Sequence, residues 1–376
     1  MEPFKEKFSA HLIERMAHTF RQKTSTFDVE AFIALAMHNL DALELKQRSE
    51  QITAALVTCL PEDYIESVEL MLSTMVPMKN PDAVDEDSTF GLHSWAMMPM
   101  CDVIVVKGLE DENNFDFSLN ALFSMTKRFS AEFAIRPFLH AYTERTLDAL
   151  SARSNDPSHH VRRLISEGTR PRLPWGMQLK KFVNTPELIL PLLTQLRDDT
   201  SEYVRRSVAN NLNDIAKDHP DKVAEVASDW SKKASKERQK MIKHACRTLL
   251  KKGHPGVLSL YGYHPPKLKT TTLSLDNDKI KIGESLALSL TLHSSSQRSQ
   301  QLLIDYVVYH QKANGTLQPK VFKWKSVKLA PNDVCEYTKN HSFKVVTTRK
   351  YHHGPHQVAL LINGVELALT SFELIK

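Results

Sequence analysis

SARSNDPSHHVRRLISEGTRPRLPWGMQLKKFVNTPELILPLLTQLRDDTSEYVRRSVANNLNDIAKDH, residues 151–219, decides the fold. It holds one pattern twice. Asp156-Pro-Ser-His-His-Val161-Arg-Arg returns 43 residues later as Asp199-Thr-Ser-Glu-Tyr-Val204-Arg-Arg. Each copy opens a helix: Asp or Ser can accept from the free N–H groups of the first turn, and Val with the apolar residues after it supplies a buried stripe. A looser copy, SKERQKMIKHACRTLL, starts near Ser235, and SAEFAIRPFLHAY from Ser130 is an off-register relative. Helix pairs repeating at roughly 40–47 residues are the mark of HEAT-type units. Each pair stacks on its neighbours because it cannot bury its apolar face alone. The expected fold is mainly α, an α-solenoid of HEAT-like repeats.

Upstream, residues 3–126 read as helices. Phe4, Phe8, Leu12, Ile13, Met16 and Phe20 make one apolar stripe, and Phe32, Ile33, Leu35, Ala36, Leu40 and Leu43 repeat the pattern. The methionines of 71–100 read as adaptable core filling, and nothing catalytic shows in this segment. Downstream of Gly253-His-Pro255-Gly256 the period changes. TTTLSL, SLALSLTL, LLIDYVVYH, VFKWKSVKL, HSFKVVTT, HQVALLI and VELALTSFEL are short β-branched and aromatic runs separated by turn residues. They predict an all-β immunoglobulin-like sandwich without the paired cysteines of antibody domains. Two domains follow, 1–258 and 267–376. Asn314-Gly315-Thr316 reads as a hairpin turn rather than a glycosylation site. Lys320, Lys323, Lys325 and Lys328 serve either as edge-strand protection or as phosphate contacts.

Composition bounds the function. Hydrophobic residues are 41% and charged residues 25% of 376, ordinary for a globular chain. No apolar run reaches the length of a membrane span, and the first residues lack a signal-peptide core, so a cytoplasmic location is expected. Cys59, Cys101, Cys246 and Cys335 lack ligand spacing and read as reduced thiols, with no metal site and no cofactor. The net charge of +5 hides an asymmetry. Lys and Arg against Asp and Glu number 9 and 21 in residues 1–126, 25 and 15 in 127–259, and 15 and 8 in 260–376. A basic middle and end suit a polyanion, although solvated charged faces give the same count.

Three residues could carry chemistry. On the helix near Val204, Arg206, Asn210, Asn213, Asp214 and Lys217 share a face, and Val208, Leu212, Ile215 and Ala216 point toward the core. A carboxylate held there among Asn and basic residues stays ionised; an exposed helix with i,i+4 pairs gives the same pattern. Trp175, in Arg170-Pro-Arg-Leu-Pro-Trp175-Gly, sits in an ordered turn. It either fills a gap between repeats or faces a base or cation. Glu132 reads as a first-turn carboxylate of a helix.

VRRLISEGTRPRLPW followed by YVRRSVANNLNDIAKDHPD resembles the AlkC branch of the bacterial HEAT-repeat DNA alkylation-repair glycosylases, the AlkC/AlkD superfamily. The resemblance covers the whole chain, is densest at 128–250, and includes the Ig-like domain of some members. It implies a monofunctional DNA glycosylase that removes cationic bases such as 3-methyladenine and 3-methylcytosine from duplex DNA. The solenoid of this superfamily grips the backbone while the lesion stays largely stacked. The implied catalytic positions are Glu132 in FSAEFAIRPF, Trp175 in RPRLPW and Asp214 in NNLNDIAK. Arg153, Arg163, Arg170, Arg172, Lys180, Arg206, Asn210, Lys217, Lys243 and Arg247 are the candidate DNA contacts. A non-catalytic HEAT protein that binds damaged or bent DNA is the alternative, and a peptide-holding scaffold is a third. The expected partner is alkylated double-stranded DNA, with no membrane, no obligate protein partner and a monomeric chain.

Overall fold

The computed structural model describes residues 3–85, 88, 90–346 and 350–376. The chain folds into two compact units, residues 1–218 with 234–245 and residues 219–233 with 246–376. The first is helical. The second joins helices Pro220–Ser231, Arg247–Lys251 and Pro255–Leu260 to a β-sandwich.

In the helical unit the repeats open helices His159–Gly168, Glu202–Ile215 and Lys236–Ala245, and the middle helix packs on both others. The repeated residues explain themselves. Asp156 Oδ1 accepts from the Ser158 N–H at 2.9 Å and Asp199 Oδ1 from the Ser201 N–H at 2.8 Å, closing the turn before each helix. Ser158 Oγ then accepts from the His160 N–H at 3.2 Å. The first arginine of each Val-Arg-Arg folds back: Arg162 donates to the carbonyls of 156 and 157, Arg205 to those of 199 and 200. Arg162 also grips the next repeat's Asp199 in a fork at 2.6 and 3.0 Å. Repeat is thus stitched to repeat, and the second arginine is left for other work.

Two expectations change here. Ser9 caps helix Ala10–Lys23 through the Leu12 N–H, so Phe4 lies outside the stripe, in the turn Phe4–Lys7, and is 57% exposed. Glu132 lies in the turn before helix Ile135–Ala141 rather than within its first turn. Pro137, which has no N–H to give, suits the first turn of that helix and sets its start. A small hairpin, β1 (Met78–Asn80) and β2 (Ala83–Val84), completes this unit.

The sandwich contains eight strands among the described residues: β3 (Leu268–Leu275), β4 (Lys279–Lys281), β5 (Ser285–Ser294), β6 (Gln300–Gln311), β7 (Leu317–Leu329), β8 (Val334–Ser342), β9 (Gly354–Ile362) and β10 (Val365–Ile375). One sheet runs β4-β10-β9-β6-β7 and the other β3-β5-β8; only β4 against β10 is parallel. Alternate residues of β5, Leu286, Leu288, Leu290 and Leu292, are buried between the sheets against Ile304, Val308 and Leu360. The strand expected at HSFKVVTT lies earlier: β8 begins at Val334 and ends at Ser342, and Thr347 and Thr348 lie outside the described residues. The register against β5, from Ser285↔Ser342 to His293↔Val334, pulls VCEYTKNHS into the sheet although six of its nine residues are polar. Asn314-Gly315 is the β6–β7 turn, with Gly315 at φ +80°. The four lysines lie exposed on β7, an edge strand.

His356 is expected to make the sandwich acid-sensitive. It is fully buried; Nδ1 faces the Gly354 carbonyl at 2.9 Å, and Nε2 accepts from the Gln311 N–H at 3.4 Å, the pattern of a neutral ring. Burial, with His352 adding to it, lowers its pKa against the raising effect of the Gly354 carbonyl. The folded pKa lies below the unfolded value of about 6.5, so its contribution is present above that pH and is lost as pH falls through the folded pKa. Moving from pH 7.5 to 5.5 is expected to destabilise this unit, by at most about 1.4 kcal/mol per pH unit from this ring. Thermal melts of the chain and of His356→Gln, compared across pH, check it: the variant should have the shallower pH dependence.

Candidate active site

Helix His159–Gly168 carries Arg163 and Glu167 one turn apart, and a ladder of alternating charge runs from them in both directions. Glu132 Oε2 receives Arg163 Nη1 at 2.5 Å, and Ser130 Oγ bridges the same two groups at 2.8 and 2.9 Å. Arg163 Nη2 reaches Glu167 Oε1 at 3.5 Å, which Arg170 Nη1 also reaches at 2.6 Å. Arg170 Nε lies 2.7 Å from Asp214 Oδ2, and Lys217 Nζ ends the run 2.7 Å from Asp214 Oδ1. Ser207 Oγ donates to the remaining oxygen of Glu167 at 2.6 Å. Burial pulls on the Arg170 guanidinium, but its bond to Asp214 and the charge of Glu167 outweigh this and hold its pKa above the ordinary value.

The ladder forms one wall of an open cavity of about 750 Å³. Glu132, Arg163, Glu167 and Arg170 line it, and Trp95, Phe129, Phe133, Trp175 and Tyr203 supply aromatic surface. Asp214 is one layer back, its side chain 2% exposed. The expected polar face is split: Asn213 and Asp214 are buried, Asn210 is half-buried, and Arg206 and Lys217 are exposed; beside it the buried Asn211 donates Nδ2 to the Ser166 carbonyl at 2.8 Å, a contact between repeats.

Trp175 is 63% exposed at φ +64°, a left-handed conformation that a bulky residue adopts at a cost. Three contacts hold it. Lys46 Nζ donates to its carbonyl, Phe4 meets its ring edge-on at 6.2 Å, and the Gly176 N–H closes the turn onto the Leu173 carbonyl at 3.1 Å. Beneath it Arg136, fully buried, donates to the carbonyls of Gly168, Arg170 and Met177.

The acidic segment, where no site residue was expected, supplies a side of this cavity through Lys46, Trp95, Met98 and the tip of the β1–β2 hairpin. Glu167 was also missed, although its spacing from Arg163 and Arg170 marks an i,i+4 and i,i+3 pair. The candidate DNA contacts separate. Arg163 and Arg170 belong to the buried ladder; Arg172 is held by Asp218 in a fork at 2.8 Å, Arg153 by Asn120 at 2.9 Å, and Asn210 meets His244 at 3.1 Å. Arg206, paired to Glu202 at 3.2 Å, is exposed, as are Lys180, Lys217 and Lys243; Arg247 is exposed in the second unit. Among the described residues no group of His, Cys, Asp and Glu could hold a metal ion, and no helix is long and apolar enough to cross a membrane.

Against this geometry the relatives are informative. Over all of both chains the structure matches the Pseudomonas fluorescens alkylpurine DNA glycosylase AlkC bound to DNA containing an abasic site analog, with a TM-score of 0.85 and 33% identity. The chain belongs to the AlkC family. The protein described as "Uncharacterized protein YhaZ" of Bacillus subtilis (strain 168) is 36% identical over 372 residues, 97% of each chain. Within this AlkC-family chain, residues 189–219 match the HEAT repeat and residues 269–376 the family "Uncharacterised protein YhaZ, C-terminal Ig-like domain". Both halves of the architecture are therefore those of the family: HEAT-like repeats, then an Ig-like sandwich.

Proposed function

We propose that this protein is a DNA glycosylase that hydrolyses the N-glycosidic bond of cationic alkylated bases in duplex DNA, 3-methyladenine first and 3-methylcytosine with it. The observation that carries the reading is the convergence of Glu132, Glu167 and Trp175 on one open, aromatic-walled cavity, with Asp214 joined to it through Arg170. The full-length likeness to an alkylpurine DNA glycosylase supports it.

An N3-alkylated purine already carries positive charge, so it departs without a general acid. What remains is to stabilise the oxocarbenium sugar and direct a water to C1′, work for fixed charge and dipoles. Glu132 is placed for both, and Trp175 offers its face to the cationic nucleotide. Lys217, 45% exposed, is the rung best able to exchange Asp214 for a DNA phosphate. That exchange uncovers Asp214 Oδ1 and turns the wall net negative when the cationic nucleotide arrives. An open cavity beside the duplex suits a lesion that stays largely stacked, and the exposed Arg206, Lys180 and Lys243 hold the phosphates without reading sequence.

The test is incubation with methylated duplex DNA and chromatography of the released bases. Free 3-methyladenine with abasic product is expected; salt-sensitive binding to lesion DNA with no release at stoichiometric protein overturns the reading in favour of a binding protein. Trp175→Ala sharpens it. Its ring is mostly exposed and its backbone strained, so the melting temperature should barely move. Losing a cation–π contact of about 0.5–2 kcal/mol should slow single-turnover release about 2- to 30-fold.

A further inference from the structure

The β1–β2 hairpin is too short to hold its place alone, with strands of three and two residues. It is latched instead, across 77 positions of chain, to the helix that bears Arg163 and Glu167. Asp82 Oδ1 accepts from the His159 N–H at 2.6 Å, its other oxygen lies 3.1 Å from His159 Nδ1, and its carbonyl faces His160 Nε2 at 3.0 Å. Asn80 Oδ1 accepts from the Asp82 N–H at 2.9 Å and presets the turn. Both histidine rings lean edge-on against Tyr203, 5.6 and 5.9 Å between centroids, whose ring also lies under the Arg163 guanidinium.

The latch brings Ala83 and Val84 to the cavity that Glu132, Trp175 and Tyr203 also line. Neither side chain offers a hydrogen bond or a charge, and both are part-buried, so their effect on a bound nucleotide is steric. We infer that this hairpin sets how large an alkyl substituent the site accepts, with Val84 as the specificity-determining side chain and Asp82 as the residue that positions it. The inference rests on the glycosylase reading above and deepens it. The anchoring helix carries Arg163 and Glu167, the middle rungs of the ladder that joins Glu132 to Asp214, so the wall that measures the adduct is tied to the carboxylates that act on it. An apolar wall distinguishes substrates by about 10- to 200-fold per methylene.

The experiment uses the full chain and two duplex substrates, one methylated and one propylated at ring nitrogens, with released bases separated by chromatography. Val84→Ala is expected to raise the propyl-to-methyl ratio of single-turnover release rates at least about tenfold. Val84→Phe should lower both, the propyl rate more. Asp82→Ala should move the ratio in the direction of Val84→Ala. Asp82→Asn, which keeps an acceptor for the His159 N–H, should restore most of it. A purely structural role would depress both rates together and leave the ratio alone. Unchanged ratios in Val84→Ala and Asp82→Ala, whatever the methyl rate, overturn the hairpin assignment, and release of 3-methyladenine by the unaltered protein leaves the glycosylase reading standing. No release of either base by the unaltered protein overturns both.

Discussion

Replacing Asp214 by Asn is expected to lower single-turnover release of 3-methyladenine by at least about 100-fold, the scale of removing one preorganised electrostatic group from an active site. The change is nearly isosteric, so the cavity keeps its shape, and what goes is the negative charge between Arg170 and Lys217. Arg170 is then answered by Glu167 alone, and Lys217 has no anion to leave. The wall becomes less negative where a cationic nucleotide must be held. Because Asp214 is 1% exposed and bonded on both oxygens, a stability loss of about 1–3 kcal/mol should accompany the change. Melting temperature and lesion-DNA affinity are therefore measured beside the rate. Release within about threefold of the unaltered protein, in a folded variant, removes Asp214 from the catalytic set.

The repeat was readable because it is a hydrogen-bonding device as well as a hydrophobic period. Asp156 and Asp199 close the same turn, and Arg162 and Arg205 fold back on it in the same way, so the copies look alike for a local reason. The sandwich was readable from turns and alternation, and went astray where alternation is weak. β8 is polar at six of its nine positions, and its place comes from pairing with β5, a relation between distant residues that no local run displays. Glu132 was drawn into a helix for a similar reason: SAEFAIRPF has helical composition, and only the placement of Pro137 in a first turn separates the turn from the helix.

The sequence offered candidate residues and not their connections. Glu132, Trp175 and Asp214 sit in distinctive contexts, yet nothing local says that Arg163, Glu167 and Arg170 link two of them through buried ion pairs. Arginines on a basic repeat read as phosphate contacts by composition; burial against carboxylates turns two of them into the wall of the cavity. The motifs of the acidic first segment are plain and point to no site. Its contribution is a matter of long-range placement, Lys46 beneath Trp175 and Asp82 on His159.

Arg136→Met should be the most destabilising single change in this region. Arg136 is completely buried and, among the described residues, bonded to no carboxylate: its guanidinium fork is spent on the carbonyls of Gly168, Arg170 and Met177, at 2.7 to 2.8 Å. Burial, with the charge of Arg170 beside it, lowers its pKa to about 10, against the raising fields of Asp214, Glu132 and Glu167, so it stays protonated at neutral pH. Methionine fills similar volume and leaves three carbonyls unanswered, each costing about 1–3 kcal/mol, in a chain whose whole stability is about 5–15 kcal/mol. A net loss of at least about 3 kcal/mol follows. Those carbonyls flank the turn that carries Trp175, so the loss should concentrate there, with faster amide exchange across 168–179 before global unfolding. Arg136→Lys should not rescue it, because one ammonium lacks the planar fork that spans three acceptors. Base release should fall in both variants even at temperatures where they remain folded, through the placement of Trp175 rather than through any contact with DNA. A melt within about 1 kcal/mol of the unaltered chain, or exchange across 168–179 unchanged, would show that the turn is held by Lys46 and Phe4 without Arg136.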